Sequence, residues 1–331
     1  MRKRATAVEV AKLAGVSKWT VIRAFTPGAS ITGASRDKVF TAANTLNYSP
    51  NLLARSLATN LTHQVAIFVD DFANPNTLPF LEQITSDFQA EGLVAVLINI
   101  NTNFDHVRAL VAAEQRQVDA VVLIGTSFRD ETLNDKRVAA NLPPTFVLGR
   151  DSQVDDITAI SCDTGLAMRE ICGHLGIRHY QRPGFMSGPR TISTAVGRRR
   201  GFVDYWSGRS VAVTELYADR YSAEDGAAAM RRYFGAISQT SPRIDLIMCE
   251  NDILACGAKD VIVHEHGLRV PADIAIVGFD NIDLAAAPAY DLTTYQQPRV
   301  EMVRVVADMI LGRREKKSVD LPGALILRGS A

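Results

Sequence analysis

Val8-Glu9-Val10-Ala11-Lys12-Leu13-Ala14-Gly15-Val16-Ser17-Lys18-Trp19-Thr20-Val21-Ile22-Arg23 reads as two short helices hinged on a glycine. Thr6 followed by Glu9 has the spacing of a capping box and opens the first helix, whose Val8, Val10, Ala11, Leu13 and Ala14 can face a small core. Gly15-Val16 breaks it. Ser17 caps a second helix that is expected to run to about Phe25, with Val21 and Ile22 for packing, and Pro27-Gly28 ends it. A helix-turn-helix needs a small residue where the helices cross, a residue tolerant of left-handed backbone at the turn, and an apolar anchor in the second helix. Ala11, Gly15 and Val21 meet those demands. Lys18, Trp19 and Arg23 then lie on the outward face of the second helix, with Ser17 and Thr20 at its start. Arginine can grip guanine in two places, lysine can reach phosphate, and an aromatic can press on a thymine methyl. The competing reading of Trp19 is a place in the small core.

Working outward, Ser35 is expected to cap a third helix with Val39, Ala42, Ala43 and Leu46 on one face. Ser49-Pro50 is a cap followed by proline at the first helical position, opening a short segment at about 50–58. Asn60-Leu61-Thr62 reads as a joint. The 331-residue chain has a formal net charge of +0, yet residues 1–60 carry nine Lys/Arg against two acids. The head is therefore +7 and the remainder, with 27 basic and 34 acidic residues, −7. A basic head on an acidic body suits a polyanion-binding module attached to something else.

From Val65 the rhythm changes. Apolar runs at 65–69, 94–100, 120–124, 145–148, 157–161, 184–186, 246–249 and 274–277 suit strands buried on both faces. The stretches 78–90, 106–117, 165–175, 195–206, 223–234 and 253–265 suit crossover helices. That alternation predicts doubly wound parallel sheets, and its length predicts two of them. The charged run Arg313-Arg314-Glu315-Lys316-Lys317 reads as a solvated helix end or turn.

Enzyme signatures are missing: there is no G-x-S-x-G elbow, no G-x-x-x-x-G-K-[ST] loop and no G-x-G-x-x-G after a strand. His264-Glu265-His266 lacks the i, i+4 histidines of a zinc protease. Cys162, Cys172, Cys249 and Cys256 are widely spaced and read as idle thiols in a reducing compartment. No apolar core follows the basic start to make a secretion signal, and no run is long enough to span a membrane. The expectation is a soluble, cytoplasmic protein without metal or cofactor.

Val10-Ala11-Lys12-Leu13-Ala14-Gly15-Val16-Ser17 together with Tyr48-Ser49-Pro50-Asn51-Leu52-Leu53-Ala54-Arg55-Ser56-Leu57 resembles the lactose-repressor (LacI/GalR) family of bacterial transcription regulators. The resemblance extends along the chain: Asp70-Asp71-Phe72-Ala73-Asn74-Pro75, the run from Gly267-Leu268-Arg269-Val270-Pro271 to Gly278-Phe279-Asp280, and Leu292-Thr293-Thr294-Tyr295-Gln296-Gln297-Pro298 all look like family segments. It implies a small all-α helix-turn-helix headpiece at 1–60, with a hinge helix at about 50–58. It also implies an α/β periplasmic-binding-protein-like body at 61–331 for effector binding and dimerisation. Its first subdomain would hold about 62–161 and 293–321, and its second about 162–292 and 322–331. In such proteins the hinge helices of a dimer wedge leucines into the minor groove; the matching residue is Leu57, with Ala54 beside it and Asn51 at the helix start. An apolar wedge can unstack a base step and kink the duplex; the competing reading of Leu57 is a linker residue packed on a core.

The same resemblance carries the family's effector contacts onto Arg198, Tyr221, Asn251, Asp280 and Gln297. A donor fork, an amide, a carboxylate and an aromatic platform suit a polyhydroxylated or anionic small molecule. The implied function is that of a ligand-responsive regulator, a repressor of genes for sugar or related-metabolite catabolism. It would bind a palindromic double-stranded DNA operator as a homodimer, with a tetramer as the larger alternative. The competing classes are an α/β enzyme and a small-molecule binding protein with no role at genes. Departures from the family pattern fall at Asn76-Thr77-Leu78-Pro79 before Phe80, at Gly149-Arg150, and at Trp19, Ile22 and Ala58.

Overall fold

The computed structural model describes residues 5–26, 28–49, 61–100, 106–125, 142–152, 154, 156–189, 195–237 and 242–331. Two compact units emerge, Met1–Thr62 and His63–Ala331.

The first unit holds three helices, α1 Ala7–Ala14, α2 Lys18–Ala24 and α3 Gly33–Thr45. The capping box on α1 forms: the Thr6 hydroxyl accepts from the Glu9 N–H at 3.3 Å, and the Glu9 carboxylate accepts from the Thr6 N–H at 2.7 Å. Gly15 ends α1 at φ +64°, a left-handed conformation that glycine adopts without a steric penalty. Ser17 caps α2, its hydroxyl accepting from the Thr20 N–H at 3.1 Å. The third helix begins earlier than expected. Thr32 is its cap, accepting from the Ser35 N–H at 3.3 Å, so Ser35 sits inside the first turn.

Val10, Ala11, Val21, Ala24, Val39, Ala42 and Ala43 form the unit's core. Val8 and Leu13 do not join it, at 58% and 54% exposed, and Ile22 also faces outward. An eight-residue helix presents one inward stripe, and Val10 with Ala11 already fills it. The hinge expected at about 50–58, including Asn51, Ala54 and Leu57, lies outside the described residues.

The second unit contains two parallel sheets. The larger has strand order β11-β5-β4-β3-β1-β2, from β1 Gln64–Val69, β2 Val94–Asn99, β3 Ala120–Ile124, β4 Thr145–Leu148, β5 Ile157–Cys162 and β11 Val319–Leu321. The smaller has order β7-β6-β8-β9, from β6 Pro183–Ser187, β7 Thr214–Tyr217, β8 Leu246–Cys249 and β9 Ala275–Val277. Doubly wound sheets of this kind follow from the β-α-β alternation. Alternation along β1 shows why its run is solidly apolar. Val65, Ile67 and Val69 pack on one side with α4 Thr77–Ala90 and α10 Arg299–Ile310. Ala66 and Phe68 pack on the other with α5 His106–Gln115. β2 departs from the expected double burial because it is the sheet edge, leaving Val94 and Leu97 exposed.

The smaller sheet is flanked by α6 Thr164–Leu175 and α7 Ala195–Ser207 in one core cluster, and by α8 Ala223–Ala236 and α9 Asp252–Asp260 in another. Residues 293–297, expected in the first subdomain, side with the second. Thr293 bridges Val277, and β10 Thr294–Gln296 pairs antiparallel with β12 Ala324–Ile326. The chain returns to the larger sheet only at α10. The three-residue β10 and β12 lie below the length at which apolar patterning separates strand from turn, and β7, with only Leu216 buried, offers no apolar run. The run 313–317 is solvated, as expected, with Arg313 paired to Glu91 at 2.6 Å.

Candidate functional site

On the first unit, α2 presents Lys18, Trp19 and Arg23 to solvent. Trp19 is 73% exposed, which removes the core reading of that side chain. A tryptophan outside a core this small has no folding role to explain it. Thr20 is half-buried, and its hydroxyl lies 2.9 Å from that of the exposed Ser17, so both hydroxyls serve the helix start.

In the second unit one cleft of about 640 Å³, including its open mouth, is lined by Arg198, Tyr221, Asn251, Asp280 and Gln297. All five effector candidates meet there. They come from different places in sequence: the first turn of α7, the β7–α8 loop, the end of β8, the loop after β9, and the segment after β10. The opposite wall carries Asp70, Asp71 and Asn74 after β1, Asn76, Thr77 and Phe80 at the start of α4, and the ends of β3 and β4. Both sheets thus turn their carboxyl ends towards the cleft, where doubly wound folds place ligands.

Arg198 is 7% exposed, donates from Nη1 to the Glu250 carbonyl at 2.8 Å, and stacks on Phe279. Its Nε–H is buried with no hydrogen-bond partner. Asp280 is 5% exposed and accepts from the Gln297 amide at 2.6 Å, which leaves the Gln297 carbonyl oxygen buried and unpaired. Burial pushes the Asp280 carboxyl above its ordinary range, while Arg198 and Gln297 pull it back. Its φ of +112° is sparsely populated for any residue but glycine, and strain of this kind collects at functional sites. Unpaired buried polar atoms in a concave site are what a polar ligand would satisfy.

Asn251 has a second role. Its side-chain oxygen accepts from the Leu254 N–H at 3.1 Å and caps α9, so its amide nitrogen is what remains for a ligand. Asp252 is buried, held by the Thr294 hydroxyl at 2.6 Å and the Ile282 N–H at 3.0 Å. Burial first and the Asp280 charge second push its carboxyl up to about 8.

Several site residues escaped the sequence reading. In the sequence Asp70, Asp71 and Asn74 read only as a family loop and Asn76, Thr77 and Phe80 only as departures from the family pattern, while nothing there marks Glu250. Position carries part of the signal: the residues just past β1, β3 and β4 (Asp70, Gly125 and Gly149) face the crevice. Asp70 illustrates the tightness of that wall, since a Cβ at Gly125 would lie 1.7 Å from its carboxylate oxygen. Gly125 itself has φ +112°. Asp71 is built into the wall, accepting from the Ala73 and Asn74 N–H groups at 3.0 and 3.1 Å. Burial raises its carboxyl.

The remaining motifs carry no chemistry. All four cysteines are free and buried; burial pushes Cys162, Cys172 and Cys256 up to about 12, far from thiolate reactivity. His266 stacks on Phe234, and Glu265 pairs with Arg231. Among the described residues no cluster of His, Cys, Asp and Glu could hold a metal, and no helix is long and apolar enough to cross a membrane.

A helix-turn-helix unit joined to a two-sheet body with a polar cleft defines a ligand-responsive DNA-binding regulator. Residues 6–51 match the bacterial regulatory proteins of the lacI family, and residues 172–331 match the periplasmic binding protein-like domain. The HTH-type transcriptional repressor PurR of Proteus mirabilis is 30% identical over 96% of this chain and 92% of its own length. A solved lac repressor bound to ONPG in its repressed state matches with a TM-score of 0.83 at 25% identity, covering 99% of this chain and 100% of that one. The transcriptional regulator CelR in complex with cellobiose matches with a TM-score of 0.69 at 24% identity, over 99% and 100% of the two chains. The chain belongs to the lacI family and is a transcription regulator, not an enzyme.

Proposed function

We propose that the chain is a homodimeric repressor that reads a palindromic operator through α2 and answers to a small polar effector held in the cleft. The observation that carries this is the convergence of Arg198, Tyr221, Asn251, Asp280 and Gln297 on one crevice, in a chain whose other unit is a basic helix-turn-helix. The related CelR binds cellobiose, which supports a sugar, sugar acid or similar metabolite as effector. Ser17, Lys18, Trp19, Thr20 and Arg23 form the major-groove set. Asn51, Ala54 and Leu57 form the minor-groove set, Leu57 acting as wedge. Ligand and operator compete or cooperate through the body, with a coupling of about 1–3 kcal/mol.

The test is selection of duplexes from a random pool by the full-length protein, followed by affinity measurements at two salt concentrations. An inverted-repeat consensus with affinity falling steeply in salt is expected. Failure to enrich any sequence over the pool would remove the operator-binding reading. Leu57→Ala should then weaken binding to the selected duplex while the melting of the body stays unchanged; a lowered melting point with intact affinity would return Leu57 to a packing role.

A further inference from the structure

Glu250 is fully buried, at 0% exposed, yet it does not line the cleft. It stands directly behind it and ties together three of the elements that build it. Its carboxylate accepts from the Gly188 N–H at 2.5 Å, and its main-chain carbonyl accepts from Arg198 at 2.8 Å. The Tyr221 hydroxyl bonds to its side chain. The Tyr221 ring in turn lies against Gly188, where a Cβ would come within 2.3 Å of the ring. One carboxylate oxygen of Glu250 is left buried with no hydrogen-bond partner. Burying an acid that merely fills space is costly, so its charge is the feature to explain.

Arg198 is the sole cation lining the cleft among the described residues; Asp280 shares that lining, and the Glu250 main-chain carbonyl, not its carboxylate, accepts from the guanidinium. Asp70 and Asp71 line the facing wall. Arg299, the other cation that acts on Asp280, is engaged with Asn76 at 3.4 Å.

We propose that Glu250 is a specificity-determining positioning residue. Its buried carboxyl stands behind a cleft that Asp70, Asp71 and Asp280 line against the single described cation Arg198, and so restricts the cleft to polyhydroxylated effectors that carry no negative charge, rejecting carboxylates and phosphates. This rests on the reading of the cleft as the effector site and narrows its ligand class. Arg198 then serves as a directional donor fork, with its free Nε–H for a hydroxyl, and Tyr221 is held in place as the platform. Burial already lifts the carboxyls of Asp71, Glu250 and Asp280. A ligand bringing a further negative charge meets the same unfavourable surroundings.

The experiment is a thermal-shift and calorimetry panel of paired compounds on the full-length protein. The pairs are ribose and ribose 5-phosphate, glucose with glucuronate and glucose 6-phosphate, cellobiose and cellobionate, and adenosine and its monophosphate. Wild type should favour the uncharged member of a pair by about tenfold or more, the effect of roughly one unfavourable charge interaction at close range. Glu250→Gln keeps the size and an acceptor for Gly188 but removes the charge, so it should shrink that ratio severalfold. Glu250→Asp should retain the wild-type preference. Equal or tighter binding of an anionic member by wild type overturns the charge assignment while leaving the cleft as effector site. An unchanged ratio in Glu250→Gln removes Glu250 from the role. If Glu250→Gln does not fold, the wild-type ratio alone decides. If no compound stabilises wild type, the reading of the cleft as a site for such metabolites falls, and this proposal with it.

Discussion

The guanidinium of Arg198 lies 3.7 Å from the centre of the Phe279 ring, and Phe279 is itself stacked on Tyr295 with centroids 5.4 Å apart. A cation on an aromatic face in a desolvated site is stabilised by about 2 kcal/mol. The stack also sets the plane in which the guanidinium offers its donors. Phe279 directly precedes Asp280, so one short loop supplies both the platform for the arginine and the carboxylate beside it.

From this stack follows the first prediction. Arg198→Lys keeps the charge but loses the planar fork and its fit to the ring. Effector affinity should fall by about tenfold or more, in line with the roughly 1–3 kcal/mol typical of a lost buried hydrogen bond to a charged group. Calorimetry with a ligand found by the panel checks it. Equal affinity in both proteins would show that charge alone matters at this position.

Trp19 supplies the second. Because its ring is exposed, Trp19→Ala should leave the melting of the first unit unchanged and weaken operator binding. Arg23→Ala should cost about 1–3 kcal/mol and relax the preference at one base pair of each half-site. Competition between the selected operator and random duplex reads both effects. If both variants keep the wild-type preference, the outward face of α2 is not the reading surface.

The third concerns pH. Asp252 has its carboxyl raised from an ordinary 3.8 to about 8, so the folded state favours the protonated form. Its contribution to stability is complete below about pH 4 and is lost as pH rises through about 8, with a slope of at most ~1.4 kcal/mol per pH unit for one proton. The groups acting on it are Asp280, the Thr294 hydroxyl, the Ile282 N–H and Arg328. Asp252→Asn cannot titrate, and its unfolding midpoint in urea should change less between pH 5 and 9 than that of wild type. Parallel curves for the two proteins would show that another group governs the pH response.

The alternation of apolar runs made the two sheets legible, because strands buried on both faces must be continuously apolar. Leu246–Cys249 and Ala120–Ile124 show this. Val94–Asn99 looked the same and proved an edge, because apolar composition does not reveal how many neighbours a strand has. The five effector candidates came from family motifs, and the cleft gathers all of them. Glu250 could not be found that way. It works from behind the wall, and only three-dimensional packing shows that a glutamate beside Asn251 reaches Gly188 and the Tyr221 hydroxyl. Ser35 missed its role because Thr32 offers the same capping chemistry three residues earlier.

The last prediction tests Asp280. Its φ of +112° makes alanine a poor probe, since asparagine tolerates positive φ better than alanine does. Asp280→Asn keeps an acceptor for the Gln297 amide, now at 2.6 Å from the carboxylate, and removes only the charge beside Arg198. An effector hydroxyl that donates to the carboxylate loses a charge-assisted bond, roughly twice as strong as a neutral one. Effector affinity should fall about tenfold, an energy of ~1.4 kcal/mol. The readout is the ratio of operator affinities with and without effector, which should move towards one. Asp280→Ala should do the same and also lower the melting temperature, because it adds backbone strain. A wild-type ratio in Asp280→Asn would take Asp280 out of the effector contacts. Loss of operator binding by Asp280→Asn in the absence of effector would make it a turn residue whose carboxylate holds the loop and not the ligand.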